Sequence, residues 1–139
     1  DNTDLVAMRW KTQFNENAKQ PAFWNVFPEL NHNEILTLVR ADLLTNQYVL
    51  LLQNDYDRPE NRTRMEIMMA LFEKNKVPFT EVKAEGESEL AQVLSQIYLG
   101  DYVSYYLALL NEVDPTPVVL IEEFKQALAK RDALLREKQ

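Results

Sequence analysis

The run Gln47-Tyr48-Val49-Leu50-Leu51-Leu52-Gln53, the break Asn54-Asp55-Tyr56-Asp57-Arg58-Pro59 and the stretch from Val77 to Val82 decide the fold of this chain. A continuous apolar run flanked by polar residues reads as a fully buried strand, of the kind parallel sheets hold. Pro59 suits the first turn of a helix, where its missing N–H leaves no bond unmade. Met65, Met68, Met69 and Phe72 then recur at i, i+3, i+4 and i+7, which carries that helix to about Asn75. Val77 to Val82 is a second short strand. Strand, helix, strand and then a further helix predicts a layered α/β architecture with parallel strands, because parallel neighbours need a crossover and a helix supplies it.

Towards the N-terminus, Asn2 or Thr3 can cap a first helix running to about Phe14, with Leu5, Met8 and Thr12 on one face and Val6 and Trp10 beside it. A short helix or turn leads from Asn33 to Asn46. Towards the C-terminus, Gly86-Glu87-Ser88 introduces a long helix with Ser88 as its cap. Its apolar stripe of Leu90, Val93, Leu94, Ile97 and Tyr98 continues past Gly100 through Val103, Tyr106, Leu107 and Leu110, and predicts a mostly buried helix. Asp114-Pro115-Thr116-Pro117 is a turn in which Thr116 can cap a last helix and Pro117 can open it; that helix frays into a charged tail from Lys130 to Gln139. Nothing divides residues 1–139, so they form one domain. Two strands are few for a complete sheet, and the pattern predicts part of a larger α/β body.

The net charge of -7 and isoelectric point near 4.8 disfavour a nucleic-acid partner, because phosphate backbones reward clustered Lys and Arg. The apolar runs fall far short of the roughly 20 residues a membrane helix needs, so no membrane partner is expected. With no cysteine, thiolate chemistry is excluded and the chain suits a reducing cytoplasm. One histidine excludes a multi-histidine metal site. Two glycines, Gly86 and Gly100, exclude a glycine-rich phosphate cradle. The start lacks a methionine and any signal-peptide pattern, which predicts a chain that was processed or cut from something longer.

Two segments combine chemistry-bearing groups with aromatic anchors: Asn15-Glu16-Asn17-Ala18-Lys19, and Pro28-Glu29-Leu30-Asn31-His32-Asn33-Glu34. Phe14, Phe23, Trp24 and Phe27 around them predict a loop packed on the body and holding polar groups in place. On the last helix, at about 100° per residue, Val118, Ile121, Phe124 and Leu128 share one arc and Lys125 falls inside it. Lys125 is then either a lysine whose stem covers the core edge or an ammonium aimed into a cleft towards an anion. Glu16 taken alone is a solvated helix-end acid and His32 a loop histidine. Together, a carboxylate base, an imidazole and a cation are what proton transfer beside a carbonyl needs.

The ordered motifs from Arg9-Trp10-Lys11 through Asn15 to Lys19, Pro28 to Ile35, Tyr98-Leu99-Gly100-Asp101-Tyr102-Val103-Ser104 and Asp114-Pro115-Thr116-Pro117 resemble the C-terminal domain of bifunctional phosphoglucose/phosphomannose isomerases, of the sugar isomerase (SIS) fold group. The resemblance implies a helix-rich, three-layer α-β-α, flavodoxin-like SIS-type domain with a parallel sheet. It implies Glu16 as the base that moves a proton between C1 and C2 of an open-chain sugar phosphate through an enediol. It implies His32 as the ring-opening group, donated by the other subunit of a homodimer, with Lys125 in the same site and Thr116 close by in contact with substrate. No organic cofactor or metal is implied. Family members are roughly twice this length, and their N-terminal SIS subdomain, with the phosphate-binding loop, is missing here; this implies an excised domain that is inactive alone. Departures are Gln53-Asn54-Asp55, where members often place an arginine, and Gln92 and Gln96 within the long helix. The alternative to an isomerase domain is a sugar-phosphate-binding regulatory domain that has lost catalysis.

Overall fold

The computed structural model describes residues 2–42 and 46–136. Along the chain lie α1 (Asn2–Glu16), a 3-10 turn (Glu29–Asn31), α2 (Ile35–Leu38), β1 (Val49–Gln53), α3 (Pro59–Asn75), β2 (Phe79–Lys83), α4 (Glu89–Leu110) and α5 (Val119–Arg136). The expected turn region before Asn46 includes residues 43–45, which lie outside the described residues, as do 137–139 of the charged tail.

β1 and β2 pair in parallel, Val49 opposite Phe79 and Gln53 opposite Lys83, with α3 as the crossover. Pro59 opens α3, and Lys76, in the left-handed region at φ 58°, closes it with its amide turned back to the carbonyls of Phe72 and Glu73. Met65, Met68 and Phe72 are buried on the predicted face and meet Leu51, Leu30 and Val77 in the core. β1 is less buried than its apolar run predicts. Only Leu51 is buried, and its four neighbours are half-exposed, because among the described residues β1 has a paired strand on one edge only.

The second packing unit joins α1 to α4 and corrects the expected burial of α4. On α1 the covered residues are Thr3, Val6 and Trp10, whereas Leu5 and Met8 face solvent. On α4 the covered residues are Gln92, Gln96, Gly100, Ser104 and Ala108, one every fourth position. The apolar stripe read from the sequence is largely exposed, Leu90, Leu94, Tyr98, Tyr106 and Leu110 among its members. Gly100 explains the inversion, since the Trp10 indole occupies the place where a side chain at position 100 would begin. The indole N–H donates to the Gln96 carbonyl at 2.8 Å.

Both glutamines are structural. The Gln96 amide donates to the carbonyls of Gln53 at 3.0 Å and Val82 at 3.2 Å, tying the C-terminal ends of both strands to α4. Gln92 accepts from the Asp55 amide and donates to the Asp55 carboxylate and the Gly86 carbonyl. Gly86, at φ 130°, could not carry a Cβ, which would lie 2.6 Å from that of Ala91. Ser88 caps α4 as expected, accepting from the Ala91 amide. Thr3 does not act as a cap. Its hydroxyl donates to Asp57 at 2.6 Å and accepts from Asn54 at 3.1 Å, so the start of α1 is fixed against the C-terminal end of β1.

α5 begins at Val119, two residues later than a Thr116 cap would give, and remains helical to Arg136, past the expected fraying point. Every one of its side chains that is described is exposed. Among the described residues no helix is long and apolar enough to cross a membrane.

Candidate active site

The C-terminal end of α1 meets the turn that precedes α5 in one wired corner. Glu16 is the last residue of the helix. The next residues supply what a helix end lacks, partners for its last carbonyls. Lys19 turns into the left-handed region at φ 54°, a position usually given to glycine, and its ammonium donates to the Glu16 carbonyl at 2.7 Å. The same ammonium donates to the carbonyls of Pro117 at 3.0 Å and Pro115 at 3.4 Å, on either side of Thr116. Asn17 donates to Gln13 and to the buried Ser104 hydroxyl of α4, each at 2.9 Å. Asn15 donates to the Gln20 carbonyl, and Asn111, at the end of α4, donates to the Ala18 carbonyl. Asp114 accepts from the Thr116 amide at 2.9 Å. That bond, helped by the Lys19 charge, holds the Asp114 carboxyl below the usual carboxylate range.

Each polar side chain of Asn15-Glu16-Asn17-Ala18-Lys19 is therefore spoken for except one. The Glu16 carboxylate is exposed and, among the described residues, meets no donor. Ala18 is fully covered. A motif that looks chemical in the sequence is four parts scaffold to one part free carboxylate.

The second motif is anchored separately. Leu30 plugs the core, Asn61 donates to the Phe27 carbonyl, and Glu34 accepts from Asn25. Asn33 donates to Glu29 across the turn. These bonds fix the backbone of His32 and leave its ring exposed. No described contact joins His32 to Glu16. Lys125 stands on the exposed α5, so neither the core edge nor a cleft of this chain takes it. The structure thus brings Glu16 and the Thr116 turn together through Lys19, and leaves His32 and Lys125 facing outwards. A cleft of about 920 Å³ opens elsewhere, between α1, β1 and the irregular segment from Gln20 to Phe27; none of Glu16, His32, Thr116 or Lys125 lines it.

Sequence reasoning missed Ser104 and Asn111 as supports of the corner. Their partners lie 87 and 93 residues away in sequence, and no local pattern announces a bond of that range. A serine on α4 and an asparagine just past its end, among mostly apolar neighbours, were the available signal.

A family model described as the bacterial phospho-glucose isomerase C-terminal SIS domain matches residues 1–128. A bifunctional phosphoglucose/phosphomannose isomerase of Caldicellulosiruptor bescii is 43% identical over 129 residues, 92% of this chain and 38% of that protein. One of Aquifex aeolicus is 38% identical over 128 residues, 92% of this chain and 40% of that protein. A D-glucosamine-6-phosphate 4-epimerase of Sulfolobus acidocaldarius is 60% identical over 30 residues, 22% of this chain and 10% of that protein. The chain spans about two-fifths of the length of the two isomerases it matches, less than the half expected from its motifs.

Proposed function

The chain belongs to the bacterial phospho-glucose isomerase C-terminal SIS domain family, and from that premise we propose that it is the part of an aldose-ketose isomerase that carries the catalytic base. The substrates are glucose 6-phosphate, fructose 6-phosphate and mannose 6-phosphate in their open-chain forms. The Glu16 carboxylate removes the proton at C2 of the aldose while the carbonyl oxygen at C1 gains one, giving an enediol. Return of a proton to C1 and loss of the hydroxyl proton at C2 then yield the ketose. The enediol has no stereochemistry at C2, which is why one base serves both epimers. His32 of the partner subunit opens the sugar ring, and Lys125 stabilises charge on the reacting oxygens. Thr116 touches the substrate. The phosphate is held by the N-terminal subdomain, so this chain alone does not turn over.

One observation carries the reading: in a corner where Asn15, Asn17, Lys19 and Asp114 are all engaged, the Glu16 carboxylate alone is left without a donor among the described residues. A carboxylate on a rigid frame and free to accept a proton is what a general base requires. Its exposure is that of a group waiting for a second surface to complete the site.

The test is an isomerase assay with fructose 6-phosphate on the longer parent protein and on its Glu16→Gln form, detecting both aldoses. A loss of about 10²- to 10⁴-fold in turnover is expected, with unchanged folding. Retained turnover removes Glu16 from the mechanism. One observation favours a second reading, a sugar-phosphate-binding regulatory domain: the described residues bring neither His32 nor Lys125 to Glu16. Ligand-induced thermal stabilisation of the parent without turnover selects it.

A further inference from the structure

The cleft beside β1 has the features of a vacant strand position. Every residue from Asn46 to Leu52 and every residue from Gln20 to Phe27 lines it, together with residues of α3 and α4. Successive side chains of a strand point to opposite faces, so a cleft touched by all of them runs along the strand's edge rather than over one face. The hydrogen bonds agree. Val49 donates to Pro78 and Gln53 accepts from Ala84, both on the β2 side. The N–H and C=O groups of Leu50 and Leu52 therefore point the other way, to the edge that no strand among the described residues pairs. Across the cleft, the amides of Ala22, Phe23 and Trp24 meet no protein acceptor among the described residues. Phe23 is 87% exposed there, an apolar side chain with nothing yet to cover it.

The direction of a missing strand also follows. Thr3 and Asp4 also line the cleft, and the bonds from Thr3 to Asp57 and Asn54 place the start of α1 at the C-terminal end of β1. A segment that leaves the cleft by a short turn into α1 must run parallel to β1. The matched family model describes a C-terminal domain, and the two isomerases extend well beyond the matched region; the chain that would feed α1 is the portion preceding that region.

We propose that this cleft takes an extended, two-sided apolar segment of about five residues from the portion that precedes the matched region, inserted as a parallel strand between β1 and the Gln20 to Phe27 segment. The insertion bonds Leu50 and Leu52 on one edge and draws the facing segment into the sheet on the other, by the same backbone pairing that lets peptides add to exposed sheet edges. The proposal rests on family membership and not on the isomerase reading, and no step of its test reads turnover.

The probe is a synthetic peptide with the sequence of about a dozen residues that immediately precedes the matched region in the Caldicellulosiruptor bescii protein, added to the present chain and followed by amide hydrogen exchange. Exchange at Leu50 and Leu52, and at alternate amides of the facing Ala22 to Trp24 stretch, should slow at least about tenfold, whereas Leu51, already bonded towards β2, should not change. Peptides N-methylated at alternate residues, in either phase, should lose the protection, because each phase removes the donors for one of the two edges. No slowing with millimolar peptide, or equal slowing with a scrambled peptide, overturns the proposal. So does protection that rises with protein concentration in the absence of peptide, which would seat a second copy in the cleft.

Discussion

The two faces of α4 reverse the ordinary logic of an amphipathic helix. Its inner face carries Gln92, Gln96, Gly100, Ser104 and Ala108, all buried, and its outer face carries Leu90, Leu94, Tyr98, Tyr102 and Leu110, all exposed. The inner face is small and polar because it meets backbone and an indole at close range: Gly100 admits Trp10, Gln96 bonds two strand ends, and Ser104 holds Asn17. Large apolar side chains there would push those partners away. The outer face leaves its large apolar side chains in the open. Apolar periodicity reports that a face is to be covered, and leaves open by what.

The inner face can be broken hardest at Trp10. Trp10→Ala removes a buried ring and its bond to Gln96, and should cost about 3–5 kcal/mol in urea unfolding; a loss below about 1 kcal/mol would mean the α1–α4 seam contributes little. Gly100→Ala should cost about 1–3 kcal/mol through overpacking. In the Trp10→Ala background that cost should disappear, which turns the contact into a measured coupling. On the outer face, Leu94→Ser and Tyr98→Ser should each stay within about 0.5 kcal/mol for this chain, while weakening any assembly seen by sedimentation. An unfolding penalty equal to that of Gly100→Ala would show that the two faces do not differ.

The smallest effect belongs to Asp114. Its carboxyl is lowered by the Thr116 amide first and by Lys19 last, and a lowered folded value means the turn is fully stabilised above the ordinary aspartate range. That stabilisation is lost as pH falls through the lowered value. The Thr116 amide resonance should follow this titration, and Asp114→Asn should flatten it.

The β1-α3-β2 unit was legible because its signals are local: an uninterrupted apolar run, Pro59 at a helix start and four apolar residues on one face. Ser88 was legible for the same reason. The buried face of α4 was misread, since Leu94 is as apolar as any core residue and only contacts decide which face is covered. In the site, Glu16 and His32 stood out by motif. The engagement of Asn15, Asn17 and Lys19 did not, because a side chain that completes a helix end and one that performs chemistry have the same letters. Lys125 shares its arc with Ile121, Phe124 and Leu128, and that arc faces solvent in this chain.

The ammonium of Lys19 has a mechanical meaning. It clips the carbonyl of Glu16 to those of Pro115 and Pro117, at the root of an 18-residue helix whose length is about 27 Å. α5 is an arm with its pivot stapled to the corner that holds Glu16. Whatever grips that arm also steadies, or pulls, the carboxylate at its base.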